Sequence, residues 1–278
     1  MSPYRFLTIA EAGAPLLAEL DLGVEGTIRG DGSVALPEDV AGRVVSMHLP
    51  YSSAGERWNV GSEDGVVRGS VLERVKRAID TAKGLGAERG VIHPMGIGRW
   101  NGKTEAAWER TVEGLRELVN HARATGLLLC LENNRLYWDS VPNETAPEDA
   151  DRSNANHIIG STPQEWIGLW HAIGRDELRL CLDTSHASTY AALSSDPTKA
   201  EHLLDEYLVE PDLIAHVHWS DSWLCDVRGR QDAHLPAGTG TLPPAFHARV
   251  KALSALKHLE HKATPEQLRA EIAFIEGL

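Results

Sequence analysis

The chain has 278 residues, 42% of them hydrophobic and 24% charged, an ordinary globular composition that is long enough to bury a sizeable core. Its formal net charge of -13 disfavours nonspecific attraction to nucleic acid or to an anionic membrane, although it leaves room for a local basic groove. Three scattered cysteines (Cys130, Cys181, Cys225) make no disulfide framework, no basic leader precedes an apolar stretch, and no apolar run approaches the ~18 residues of a membrane span, so the expectation is a soluble cytoplasmic protein.

In chain order, short apolar runs alternate with helix-like segments. The runs "YRFLTI" (4–9), "LGVEGTI" (22–28) and "RVVSMHL" (43–49) come first. A segment at 70–87 then places Val71, Leu72, Val75, Ile79 and Ala82 at helical spacing and ends at Gly84 and Gly86. The run "RGVIHP" (89–94) follows, then a second helical pattern at 104–126, then "GLLLCLEN" (126–133). A long polar loop covers 135–160, and Ser161-Thr162-Pro163 opens a helix to 174. The runs "LRLCLDT" (178–184) and "LIAHVHW" (213–219) come next, then a second polar loop at 221–241. "ALKHLEH" (255–261) and a helix opened by Thr264-Pro265 complete the chain.

Strands that alternate with helices imply parallel βαβ units, and eight of them at this length imply an α/β chain closed as one (β/α)8 TIM barrel over residues 1–278. The alternative, an open doubly wound sheet, usually carries a glycine-rich phosphate loop after an early strand. Neither GxGxxG nor GxxxxGK[ST] occurs here. Both long loops lie on the C-terminal side of strands, where barrel active sites form.

The strand ends carry the chemistry. His48, His93, Glu132 and Asp183 close four successive runs, and His186 follows three residues after Asp183. The seventh run contains His216 and His218, the eighth leads to Glu260, and the loop after the seventh adds Asp232 and His234. A lone histidine at a strand end is ordinarily a hydrogen-bonded structural residue, and a lone carboxylate there ordinarily caps the next helix. Six consecutive runs ending this way, on strands whose ends converge on one rim, predict a metal site instead. Carboxylates and imidazoles without thiolates suit Zn, Mn, Co or Mg, with Zn or Mn favoured. His216 and His218 face the same side of their strand, so one is expected as a ligand and the other as its neighbour or a substrate contact. Trp58, Trp100, Trp138, Trp219 and Trp223 follow strand ends and are candidates for a substrate wall. Arg99, Arg135, Arg228 and Arg230 in the same loops are candidates for a phosphate.

The combination H-x-P-Y, H-P, L-E-N, L-D-T-x-H, H-x-H-x-x-D, D-x-H-x-x-x-G-x-G and a late L-E resembles the xylose-isomerase-like barrel superfamily over roughly 43–278. That group includes sugar isomerases, epimerases and endonuclease IV. The resemblance to the one-metal epimerases implies a core of Glu132, Asp183, His218 and Glu260, with both glutamates moving protons and His186 contacting substrate. The resemblance to endonuclease IV implies three zinc ions and adds His48, His93, His186, Asp232 and His234. Tyr51 and Asn59 resemble the segment after that family's first ligand histidine, and they join His216, Trp219 and Arg230 as expected substrate contacts. The N-terminal run and the loop "DAHLPAGTGTL" do not resemble the DNA enzyme, so the expected partner is a small sugar or phosphorylated molecule rather than nucleic acid.

Three functions follow as expectations. The first is a metal-dependent sugar isomerase or epimerase with Glu132 and Glu260 as an acid–base pair. The second is a multinuclear zinc phosphoester hydrolase on a small substrate. The third is a metal-stabilised binding protein without turnover. One to three ions are expected, and self-association is left open.

Overall fold

The computed structural model describes residues 4, 6–9, 12–99, 104–138, 141–152 and 156–278. Eight parallel strands close into a barrel: β1 (Phe6–Ile9), β2 (Gly23–Ile28), β3 (Val44–His48), β4 (Arg89–Ile92), β5 (Leu128–Glu132), β6 (Leu178–Asp183), β7 (Ile214–Trp219) and β8 (Leu256–Leu259). Each strand pairs with its sequence neighbours, and β1 pairs with both β8 and β2 to complete the circle. Every strand falls inside the run predicted for it, and the fold is the expected (β/α)8 TIM barrel.

The helices that cover it are α1 (Ala14–Glu19), α2 (Gly65–Gly84), α3 (Thr104–Thr125), α4 (Pro163–Ile173), α5 (Thr184–Ala191), α6 (Pro197–Asp205), α7 (Pro244–Ala252) and α8 (Pro265–Gly277). Two local departures from the sequence reading occur. After β2 the described chain forms a short strand, Val34–Ala35, antiparallel to β2, and a 3-10 turn over Glu38–Arg43 in place of an α-helix. Helix α2 starts five residues before the predicted 70, because the Asp64 carboxylate accepts hydrogen bonds from the Val66 and Val67 amides. That first turn buries no apolar face, with Val66 82% exposed, so periodicity does not register it.

Alternation along each strand separates two environments. Leu129, Leu131, Leu180 and Leu182 belong to the main core, with Trp166 of α4 among its largest members. The Trp166 indole also donates to the Leu131 carbonyl at 2.8 Å, tying α4 to β5. The opposite face of β5 carries Cys130 and Glu132, and that of β6 carries Cys181 and Asp183. Burial pushes the Cys130 thiol up to about 12 and Cys181 well above its ordinary value, so both remain thiols.

The long loop after β5 is packed rather than loose. Leu136, Trp138 and Val141 form a small core with Ala192 of the α5–α6 region. Thr189 of α5 accepts from the Leu136 amide at 2.7 Å and, through its carbonyl, from the Trp138 indole at 2.9 Å. Arg230 donates to the carbonyls of Pro142 and Thr145 and stacks its guanidinium 4.6 Å from the Trp138 ring. We expect Arg230→Ala to accelerate limited proteolysis within 141–152 while moving the thermal midpoint of the barrel by only a few degrees. Unchanged cleavage would show that Arg230 does not hold the loop.

Candidate metal centre

The rim is built from backbone geometry first. His48, Glu132 and Asp183 are the last residues of β3, β5 and β6, and His218 is next to last in β7. His93 follows β4, Glu260 follows β8, and His186 lies in the first turn of α5, where its amide donates to Asp183 Oδ1 at 2.8 Å. Asp232 and His234 arrive on the loop after β7. Asp221 latches that loop: Oδ2 accepts from the Gly238 amide, Oδ1 from the Leu242 amide, and its backbone pairs with Leu235. A Cβ at Gly240 would sit 2.3 Å from the Ser222 carbonyl oxygen, which explains the second glycine of the G-x-G pattern. His234 itself has φ of 42°, a left-handed conformation kept by these contacts.

The nine predicted ligands converge. His48, His93 and Glu132 form one group, Asp183, His186 and His234 a second, and Glu132, Asp183, His218 and Glu260 a third, each with its donor atoms within 4.8 Å of one another. Glu132 joins the first group to the third. Its Oε2 stands 3.3 Å from His48 Nε2 and 3.2 Å from His93 Nε2, and its Oε1 stands 3.0 Å from His218 Nδ1. Asp232 closes the second group, with Oδ2 3.3 Å from His186 Nε2 and Oδ1 2.9 Å from His234 Nε2.

A common pattern fixes which nitrogen of each imidazole faces the centre. The outer nitrogen meets an oxygen acceptor in all five rings. These are the Leu49 carbonyl for His48 (3.0 Å), Asn134 Oδ1 for His93 (2.9 Å), the Asn133 carbonyl for His186 (2.7 Å), the Glu260 carbonyl for His234 (3.0 Å) and Glu25 Oε1 for His218 (2.9 Å). Outer hydrogen bonds of this kind orient metal-binding histidines and set their tautomers. Asn133 also braces the centre, exchanging hydrogen bonds with the Asp183 backbone at 2.7 and 3.0 Å.

Electrostatics favour a cation. Burial alone raises a carboxyl, yet the His93 and His218 charges hold Glu132 well below its ordinary value. Burial lowers an imidazole, yet Asp183 and Asp232 lift His186 to about 10. Glu132 Oε2, Asp183 Oδ2, Asp232 Oδ1 and Glu260 Oε2 are buried without a hydrogen-bond partner. Orphaned carboxylate oxygens facing imidazole nitrogens about 3 Å away fit divalent metal ions, and none of the convergent groups includes a cysteine, so the donor set is oxygen and nitrogen.

Of the expected substrate contacts, Tyr51 lines the cavity of about 300 Å³ above the candidate ligands, its ring 4.4 Å from that of His93. Four others lie elsewhere. Asn59 accepts from the Gly61 amide within a tight turn. Trp219 points outward into the core, because it follows His218 by one residue, and donates to His247. Arg230 is spent on the loop carbonyls. His216 lies inside the barrel, facing Glu25. Trp58 and Trp138 are packing residues, Trp223 stacks with the Arg228 guanidinium, and Trp100 and the Arg99 side chain lie outside the described residues. The sequence reading missed Glu25, Asn133, Asn134, Arg57 and Tyr137. Asn133 and Asn134 follow Glu132 directly in "LENN", and Glu25 is a carboxylate inside an apolar strand, so three of the five carried a signal.

A family model described as xylose isomerase-like TIM barrel matches residues 39–278. The chain belongs to this family. Among solved structures, a D-tagatose 3-epimerase-like protein is 19% identical with a TM-score of 0.67, covering 98% of each chain. A Thermus thermophilus protein soaked with zinc chloride is 23% identical with a TM-score of 0.63, over 100% of this chain and 99% of that one. Endonuclease IV from Thermus thermophilus is 21% identical with a TM-score of 0.60, over 99% of each. At these identities the likeness shows the fold alone. No curated protein matches the chain. Among the described residues, no helix is long and apolar enough to cross a membrane.

Asn134 gives a test of the candidate centre that leaves every candidate ligand in place. Asn134→Ala removes the acceptor behind His93 and is expected to weaken metal binding by roughly 10- to 100-fold. Competition with a chromogenic chelator measures it, and wild-type affinity in the variant would refute the assignment.

Proposed function

We propose that this protein is a multinuclear metal-dependent hydrolase of small phosphoesters. The observation that carries the reading is the position of Glu132. Its side chain is 1% exposed and both oxygens face imidazoles of two different ligand groups. A carboxylate so committed is suited to bridging ions and poorly placed to exchange a proton with a sugar carbon. The nine rim residues would hold two or three divalent ions. Such ions supply Lewis acidity, drawing charge from phosphoryl oxygens and activating water at neutral pH.

The chain's own groups above the ligands suit an anionic small molecule. Arg57, Arg135, Tyr51 and Tyr137 line the same cavity of about 300 Å³ as His48, His93, Glu132 and Asp232. The Arg57 guanidinium contacts the Tyr137 hydroxyl and lies 4.8 Å from its ring, while that of Arg135 lies 4.5 Å from the same ring. Two guanidinium groups opposite a metal-binding floor would clamp phosphate oxygens, and the phenol faces would pack the remainder of the substrate. The packed loop after β5 carries Arg135 and Tyr137, so the wall is held in place.

One observation favours a second reading, a one-metal isomerase or epimerase. Glu132, Asp183, His218 and Glu260 form a four-ligand group by themselves, and the partly exposed Glu260 borders the cavity. Metal content and two assays separate the readings. For the hydrolase we expect two or three ions per chain and release of inorganic phosphate from a panel of small sugar phosphates and nucleotides. We also expect no solvent deuterium in ketoses or aldoses by NMR. His48→Ala and His93→Ala are each expected to lower metal content and to cost activity by at least about 100-fold. One ion per chain, deuterium entering a sugar, and both variants active as wild type would replace the hydrolase with the isomerase.

A further inference from the structure

Beneath the rim lies a second cluster that none of the nine rim positions explains. Glu25, from the middle of β2, points into the barrel and is 4% exposed. His216 of β7 and His258 of β8, at 0% and 2% exposure, face it: His216 Nε2 stands 3.1 Å from Glu25 Oε2, and His258 Nδ1 stands 3.3 Å from Glu25 Oε1. With His218 these residues bring four donor atoms within 4.8 Å of one another. Neither ring nitrogen of His216 or of His258 has a hydrogen bond of normal geometry. Two fully buried imidazoles without such bonds, both aimed at one carboxylate, are costly unless something else satisfies them.

We propose that Glu25, His216 and His258 hold a further divalent cation of the zinc class inside the barrel, separate from the ions of the rim. One carboxylate and two imidazoles without a thiolate match that class. The spacing is compatible: donors about 2.0–2.1 Å from a tetrahedral zinc stand about 3.3 Å apart, and each imidazole nitrogen stands 3.1 or 3.3 Å from one of the two Glu25 oxygens, with one donor atom from each residue within 4.8 Å of the others. The cation also has a route in, because Glu25 and His258 border a cavity of about 270 Å³ that reaches Glu260 and His234 at the rim. His216, at 0% exposure, closes the far side. His218 separates the two sites, with Nδ1 toward the rim carboxylates and Nε2 donating to Glu25 Oε1. The inner ion would therefore stiffen the carboxylate that orients a rim ligand.

The test counts and locates zinc. Metal-free protein is loaded with Zn²⁺, dialysed, assayed by atomic emission and crystallised, and anomalous difference maps are collected at the zinc edge. The expected result is a peak among Glu25, His216 and His258, distinct from any rim peak, and one zinc fewer per chain in both His216→Phe and His258→Gln. Glu25→Gln is unsuitable for the count because Glu25 also supports His218. Rim peaks with none in the barrel interior at saturating zinc would overturn the proposal, as would an unchanged count in both folded variants. If neither variant folds, the wild-type map decides alone. Because the peaks are separated in space, failure of the inner site and failure of the multinuclear rim are read independently.

Discussion

The structure depends on burying one carboxylate. Glu132 sits at the end of β5, almost fully out of water, with His48, His93, His186 and His218 within 3.5 Å of its two oxygens. A desolvated carboxylate is unfavourable by several kcal/mol unless paired, and here the pairing comes from four different strands or their following turns. That requirement fixes the register of the rim. A one-residue slip in β5 would turn Glu132 toward the helices and Leu131 into the site. The surrounding loops then serve orientation. Asp221 latches the loop that carries His234, Asn134 sets the His93 tautomer, and Arg230 fastens the segment that presents Arg135 and Tyr137.

This dependence explains what the sequence made legible. Strand ends that converge on a rim, and the loops that follow them, put the chemistry at predictable places, so His48, His93, Glu132, Asp183, His186, His218, Asp232, His234 and Glu260 could be read one by one and all reach the same site. The orienting residues were less visible, because their role lies in hydrogen bonds across the chain. Asn134 acts on a ring 41 residues earlier, and Glu25 on one 193 residues later. Arg57 faces the cavity from the short hairpin Ser52–Ser53/Glu56–Arg57, where an exposed arginine looks like any surface residue. Trp219 shows the reverse error. It follows a strand end closely, but alternation along β7 sends it outward, and the same rule that places His218 inside excludes its neighbour.

The barrel interior follows from the same alternation. Two residues before each member of the Glu132, Asp183, His218 and Glu260 group stand Cys130, Cys181, His216 and His258, each one inward-facing step farther down its own strand. Branched aliphatic side chains dominate the interior of an ordinary barrel. Here two of these four positions are thiols and two are imidazoles, and Glu25 enters from β2 opposite the imidazoles, with the Ser46 hydroxyl donating to it. The imidazoles precede His218 and Glu260 on their strands, and the thiols precede Glu132 and Asp183. One histidine therefore joins the rim to the interior, and the geometry of the rim is set from below as well as from the loops above.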